Sequence, residues 1–213
     1  MTNDERRLLA AARLRELGHE FVGRELRDDT LDVVLHAVDE LLRDVRQSPV
    51  RSRSVPLDSF DQFRFVVPHE GESSEHQYFS DSLVSGSANP MGLAGTLWRD
   101  GDIVVMQAAF GNAFEGAPGR SHGGAIAALL DETMGVVMGL HDALGFTVQL
   151  DITYLAPAPL NQPVTARAWL ESRDGRKVTS RATVHCNDVL VAEATALFIT
   201  VDPQTFLAHL AVV

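Results

Sequence analysis

The chain has 213 residues, 45% of them apolar and 22% charged, with a formal net charge of -11. That length holds one ordinary domain and an appendage, and the composition is that of a folded chain rather than a disordered one. The acidic balance argues against non-specific nucleic-acid binding, and an anionic ligand would need a local basic patch.

The single cysteine, Cys186, rules out an intramolecular disulfide framework and fits a reducing compartment. It reads as a buried strand thiol, with His185 turned to the opposite face. The first residues mix arginines with Asp4, Glu5 and Glu16, unlike a transit peptide, and they lack the longer apolar core of a secretory signal. No run reads as a bilayer span. The expectation is a cytoplasmic protein without a membrane span.

From about residue 4 to 47 the pattern is helical. Leu8, Leu9, Ala12, Leu14 and Leu17 give a first apolar face, which Gly18 is expected to end or interrupt. Asp28, Asp29 and Thr30 offer an N-cap and an acidic first turn to a second helix. Its apolar face runs through Leu31, Val34, Leu35, Val38, Leu41, Leu42 and Val45, and Ser48-Pro49 stops it. These helices read as a packing or oligomerisation appendage without chemistry.

Residues 48 to about 90 are mixed and turn-rich, with one short strand expected at Phe63-Arg64-Phe65-Val66-Val67. His69-Glu70 with His76 lacks the spacing of two zinc-binding histidines on one helix face and reads as a solvated loop. A hairpin follows, with strands over 93–98 and 103–110 about a turn at Arg99-Asp100-Gly101-Asp102. A Gly/Pro-rich loop then leads to a long apolar helix from about His122 to Leu140. Strands are expected at about 145–155, 163–172, 177–187 and 189–201. Hairpin, helix and meander together mean an α+β domain, an antiparallel sheet with a helix on one face.

The helix carries the candidate chemistry. His122-Gly123-Gly124 at its start would expose backbone N–H groups at the positive end of the helix dipole, where an oxyanion would be held; tight helix–sheet packing would also account for two glycines. Asp131 lies mid-helix among Ala125 to Leu130 and Met134 to Met138. A helix apolar nearly all round is expected to be buried. A carboxylate there costs several kcal/mol unless it is paired or its pKa rises, which suits a general base. Glu132, about 100° further round, reads as its solvated or salt-bridged neighbour.

His122 and Asp131 are nine positions apart, roughly 13 Å along the axis and about 180° around it. One carbonyl cannot meet both from a single helix. If both act on one substrate, a second subunit supplies one of them.

Glu115-Gly116-Ala117-Pro118-Gly119, Ser121 to Ala127 and Leu130-Asp131 resemble the loop and helix start of the hotdog-fold acyl-CoA thioesterases of the phenylacetate-degradation (PaaI-like) group, most nearly thioesterase superfamily members four and five. Asp151-Ile152-Thr153-Tyr154 with Pro157 and Pro159-Leu160 resembles the family's central strand and exit turn. Gly175-Arg176-Lys177 and Ala192 to Ile199 resemble its last strands. The resemblance covers about residues 89–203. It implies a hotdog fold, an antiparallel sheet wrapped around a long central helix, over that span. A helical extension would occupy 1–50, a connecting segment 51–88 and a tail 204–213.

The resemblance also implies roles. Asp131 matches the acidic base or nucleophile, and Thr147 the hydroxyl residue that positions the water or the acid. Gly123 matches the oxyanion donor, with His122 and Gly124 shaping the turn. Some relatives carry an asparagine in the preceding loop, about where Gly116 stands here. The substrate would be an acyl-CoA, and the protein a homodimer or dimer of dimers that needs no metal or cofactor. Arg173, Arg176, Lys177 and Arg181 at one hairpin turn, and Arg120 beside the catalytic turn, are the candidates for contact with the phosphates of coenzyme A.

Two other readings compete. Gly119-Arg120-Ser121-His122-Gly123 matches the nucleophile elbow of α/β-hydrolases, which needs an apolar strand immediately before it. A hotdog module that binds acyl-CoA without cleaving it, or a hotdog dehydratase, would share the fold.

Overall fold

The computed structural model of the chain describes residues 1–51, 67–72 and 80–202. Two helices lead: α1 (Asn3–Gly23) and α2 (Asp28–Gln47). Thr2 and Glu5 close α1 with a reciprocal capping box, satisfying two N–H groups that the first turn leaves without partners. Gly18 does not interrupt α1. Its cost of about 1 kcal/mol relative to alanine is borne by helix formers on either side. Asp28 is the first residue of α2 and not its cap, which falls on Arg27 without a side-chain bond. The expected strand at 63–67 lies outside the described residues except for Val67.

Among the described residues the sheet has six strands: β1 (Thr96–Asp100), β2 (Ile103–Ala109), β3 (Gly145–Tyr154), β4 (Pro163–Asp174), β5 (Lys177–Cys186) and β6 (Val189–Thr200). They run in the order β1-β2-β4-β5-β6-β3, every neighbouring pair antiparallel. The last four begin and end within two residues of the expected bounds. β1 starts at Thr96, three residues later than the pattern suggested.

Helix α3 (Gly123–Leu140) packs across β2, β4 and β5 and touches β3 and β6. Ile126, Leu129, Leu130, Met134 and Val137 meet Val104, Met106, Val164, Val178, Val184 and Phe198 of the sheet. The sheet side of this core is rich in alanine (Ala166, Ala168, Ala182, Ala194, Ala196), and small side chains let the helix approach closely at interior packing density. Against the expectation of no spanning run, α3 is by length and composition long and apolar enough to cross a membrane; here one side of it forms the domain core. Burial is also one-sided where an all-round apolar helix was expected. Gly123, Ala127, Asp131 and Gly135, at four-residue intervals, form a partly open stripe.

Among the described residues β3 is an edge strand, and Phe146, Val148, Tyr154 and Leu155 are about half exposed along and just beyond it. Cys186 is buried, as expected of a strand thiol.

Candidate active site

The start of α3 is built by the loop before it. A 3-10 turn at Asn112–Phe114 leads in, and the carbonyl of Phe114 accepts from the His122 amide at 2.8 Å. Gly116 N–H donates to the Arg120 carbonyl at 2.9 Å, folding the loop back on itself. His122 is the N-cap: its Nδ1 accepts from the Gly124 amide at 2.9 Å. Among the described residues no acceptor meets the Gly123 N–H, one of the amides a helix start leaves unpaired.

Tyr154 closes this corner from the end of β3. Its hydroxyl donates to the Gly123 carbonyl at 2.8 Å. A Cβ at position 123 would lie 3.3 Å from the tyrosine ring, so any residue but glycine requires the ring to give by a few tenths of an ångström. The sequence names Tyr154 only as part of a strand motif. The hydroxyl of a β-strand end residue gives no signal of which backbone carbonyl it will reach.

A Cβ at Gly116 would fall 2.9 Å from the Cα of His122. An asparagine therefore cannot stand at this position without displacing the cap.

Asp131 sits mid-helix on the partly open stripe, and Thr147 Oγ1 donates to its Oδ1 at 2.9 Å. A bulge in β3 makes the pairing possible. Leu150 is paired with Ala196, and Thr147 with Phe198, both of which face the core. Cross-strand partners share a face, so Leu150 and Thr147 both point toward α3 although they are three positions apart. The extra residue is Val148, between Thr147 and Gln149. Strict alternation would have turned Thr147 outward.

Glu132, read from the sequence as solvated or salt-bridged, is partly buried and has no ion-pair partner among the described residues. Its carboxylate accepts from the amides of Val84 and Ser85 at 3.1 and 2.9 Å and from the Ser82 hydroxyl at 3.1 Å. It pins the segment before β1 to the helix. The two adjacent carboxylates thus divide into one bound by backbone amides and one facing the open stripe.

Within one chain, the two halves of the candidate site are held apart. The His122 turn lies beside Tyr154 at the end of β3, while Thr147 lies near its start. The basic turn is at the Thr147 end: the Arg176 carbonyl accepts from Thr200, which is paired with Gly145. Ten residues of strand, about 30 Å, separate Arg173, Arg176 and Lys177 from the His122 turn of their own chain. Arg181 is paired with Glu171 at 3.5 Å, and Arg176 Nε donates to the Thr200 carbonyl at 3.0 Å. Arg120 is exposed in the loop beside His122.

Ser121 does not have the setting of an elbow nucleophile. It is buried, follows a loop instead of a strand, and its Oγ donates to the Ala158 carbonyl at 3.3 Å. His69 lies beside Arg99, with Nε2 2.7 Å from the guanidinium; His76 is outside the described residues.

A family model of the thioesterase superfamily matches residues 119–193, a span that holds the His122 turn, Asp131, Thr147 and the basic hairpin. The acyl-coenzyme A thioesterase THEM4 of Mus musculus is 32% identical over 161 residues, covering 75% of this chain and 68% of its own. THEM4 of Bos taurus is 35% identical over 139 residues, 63% of this chain and 56% of its own. The crystal structure of RHA08564, a thioesterase superfamily protein, superposes with a TM-score of 0.74 over 91% of this chain and 94% of its own, at 23% identity. That similarity concerns the fold, helical extension included. The resemblance to hotdog-fold acyl-CoA thioesterases read from the motifs is borne out by the sequence relatives: the chain belongs to the thioesterase superfamily, alongside the THEM4 acyl-coenzyme A thioesterases.

Proposed function

We propose that this protein hydrolyses an acyl-CoA thioester to the free acid and coenzyme A, in a site shared between two copies of the chain. The observation that carries the reading is the Asp131–Thr147 pair on the partly open stripe of a largely apolar helix whose first N–H meets no acceptor among the described residues.

The thioester oxygen would sit at the Gly123 N–H, where the helix dipole and a fixed donor favour the negative charge of the tetrahedral intermediate. Asp131, oriented through Oδ1 by Thr147, has Oδ2 available to take a proton from water as the water attacks the carbonyl carbon. Collapse of the intermediate breaks the C–S bond, and the thiolate of coenzyme A leaves with that proton. Direct attack by the carboxylate, giving an anhydride that water then opens, uses the same atoms.

Shared sites follow from the separation of the two halves. An antiparallel pairing of β3 with β3 of a second copy would bring the Thr147 end of one strand to the Tyr154 end of the other. The partner's Asp131 would then face the Gly123 turn, and the basic hairpin at Arg173, Arg176 and Lys177 would approach it with Arg120, where the phosphates of coenzyme A need cations. The exposed apolar residues of this edge, Phe146, Val148 and Leu155, support a homodimer, since a long open edge is otherwise a liability. The same dimers pairing again would give a dimer of dimers.

The test is release of thiol from an acyl-CoA panel by wild type, by Asp131→Asn, and by an equimolar, refolded mixture of Asp131→Asn with His122→Ala. Wild type should cleave at least one member, and Asp131→Asn should do so about 10²–10⁴-fold more slowly. Random mixing leaves one intact site in each hybrid dimer and restores about a quarter of wild-type activity. Failure of wild type on every acyl-CoA removes the enzyme reading; an inactive mixture of folded, exchanged dimers removes the shared site.

A further inference from the structure

The helical extension carries no chemistry of its own, yet one of its side chains reaches the loop that shapes the catalytic turn. His19 of α1 is half-buried, and its Nδ1 accepts from the Ala113 amide at 3.1 Å. The His19 carbonyl accepts from the Asn112 side chain at 3.3 Å, and the Asn112 Oδ1 accepts in turn from Asn161 at 3.0 Å. The imidazole lies on the Phe114 ring, centroids 5.6 Å apart and planes tilted by 54°. Phe114 is the residue whose carbonyl holds the His122 amide.

The fit leaves no slack. A Cβ at Gly111 would fall 2.5 Å from His19 Nδ1, and a Cβ at Gly23 would collide with the Asn112 amide. Arg15, one turn earlier on α1, donates to the Asn89 carbonyl at 2.5 Å and fixes the helix at a second point. Burial and the Arg15 cation hold the His19 ring below its ordinary value, with Glu20 opposing, so the ring tends to the neutral form whose Nδ1 lone pair can accept.

We infer that His19 is a positioning residue for the reaction: through the Ala113 amide and the Phe114 ring it fixes the 3-10 turn at Asn112–Phe114, and through Phe114 it fixes the cap and the free amide of the Gly123 turn. This assigns the helical extension a part in catalysis without any contact with substrate. A donor displaced by a fraction of an ångström stabilises the oxyanion less, while the groups that bind the rest of the substrate stay where they are.

The inference rests on the thioesterase reading and is tested by two measurements on wild type, His19→Leu and His19→Asn. Leucine keeps the bulk without an acceptor; asparagine places an amide oxygen near the site of Nδ1. His19→Leu should lower kcat about tenfold or more with KM little changed, and should speed hydrogen–deuterium exchange across 111–124. His19→Asn should restore most of both. Wild-type kcat and exchange in His19→Leu would overturn the inference, as would equal impairment of the two variants, which would mark the ring as packing alone. If wild type cleaves no acyl-CoA, the thioesterase reading fails by itself, and the exchange data still decide whether His19 holds the turn.

Discussion

Thr147 reaches Asp131 from the edge of the sheet, its hydroxyl donating across 2.9 Å to a carboxylate in the middle of α3. In the proposed reaction the two side chains act as one unit: the hydroxyl orients the carboxylate, and the carboxylate takes the proton. Asp131→Asn should therefore reduce kcat by about 10²–10⁴-fold, and Thr147→Val by about tenfold. The double variant should be no slower than Asp131→Asn alone, because residues acting as a unit are not additive. Thiol-release kinetics on the four proteins of this cycle give the answer; simple multiplication of the two losses would show that Thr147 acts elsewhere.

The approach of Gly116 to His122 predicts a second effect. Gly116→Ala puts a methyl group 2.9 Å from the His122 Cα, so the cap must move. Activity should fall at least tenfold while circular dichroism shows the fold retained. An alanine variant as active as wild type would mean that the loop yields without disturbing the turn.

Glu132 predicts a loss of stability. Replacing its carboxylate by an amide in Glu132→Gln leaves one acceptor oxygen for the Val84 and Ser85 amides and the Ser82 hydroxyl. The expected cost is about 1–3 kcal/mol for charge-assisted bonds to a partly buried carboxylate, read as a lower denaturant midpoint. A midpoint equal to that of wild type would show that the clamp contributes nothing net.

His19 gives the docking of α1 a pH dependence. Its folded-state pKa is lowered from 6.5, by burial first and by Arg15 second. The unfolded chain therefore binds more protons than the folded one over that window. The stability that neutral His19 contributes is present above about pH 6.5 and is lost as pH falls through the folded value. In His19→Leu this part of the pH dependence should vanish. Unfolding midpoints of both proteins between neutral and mildly acidic pH provide the comparison.

Gly18 offers a gain. It lies within α1 and nothing stands within 4 Å of the Cβ it lacks. Gly18→Ala should stabilise the helix by about 0.5–1 kcal/mol. An unchanged exchange rate across α1 would contradict this.

Most of the fold was legible because its signals are local. Hydrophobic period, turn residues and the apolar run of α3 placed the last four strands and the helix within two residues. Gly18 misled because propensity is a weak prior that flanking residues override. In the candidate site, Asp131 stands out in the sequence as a carboxylate within an apolar run, although the structure leaves it on a partly open stripe, whereas Tyr154, Glu132 and His19 depend on which distant backbone groups come near them. Thr147 was legible by family likeness alone. Counting along β3 in twos puts it on the wrong face, and a bulge leaves no composition of its own to read.

The cap at His122 has one more consequence, for the ring itself. A nitrogen that accepts from the Gly124 amide cannot also carry a proton, so the neutral imidazole is the tautomer with hydrogen on Nε2. The exposed edge of His122 then offers a donor and no lone pair. It can polarise a carbonyl or order a water, but it cannot serve as the base. Nitrogen-15 chemical shifts of the ring should show an unprotonated, pyridine-like Nδ1. In the proposed reaction a helix cap would thus set the division of labour: His122 would act as a donor, and proton abstraction would fall to the Asp131 carboxylate.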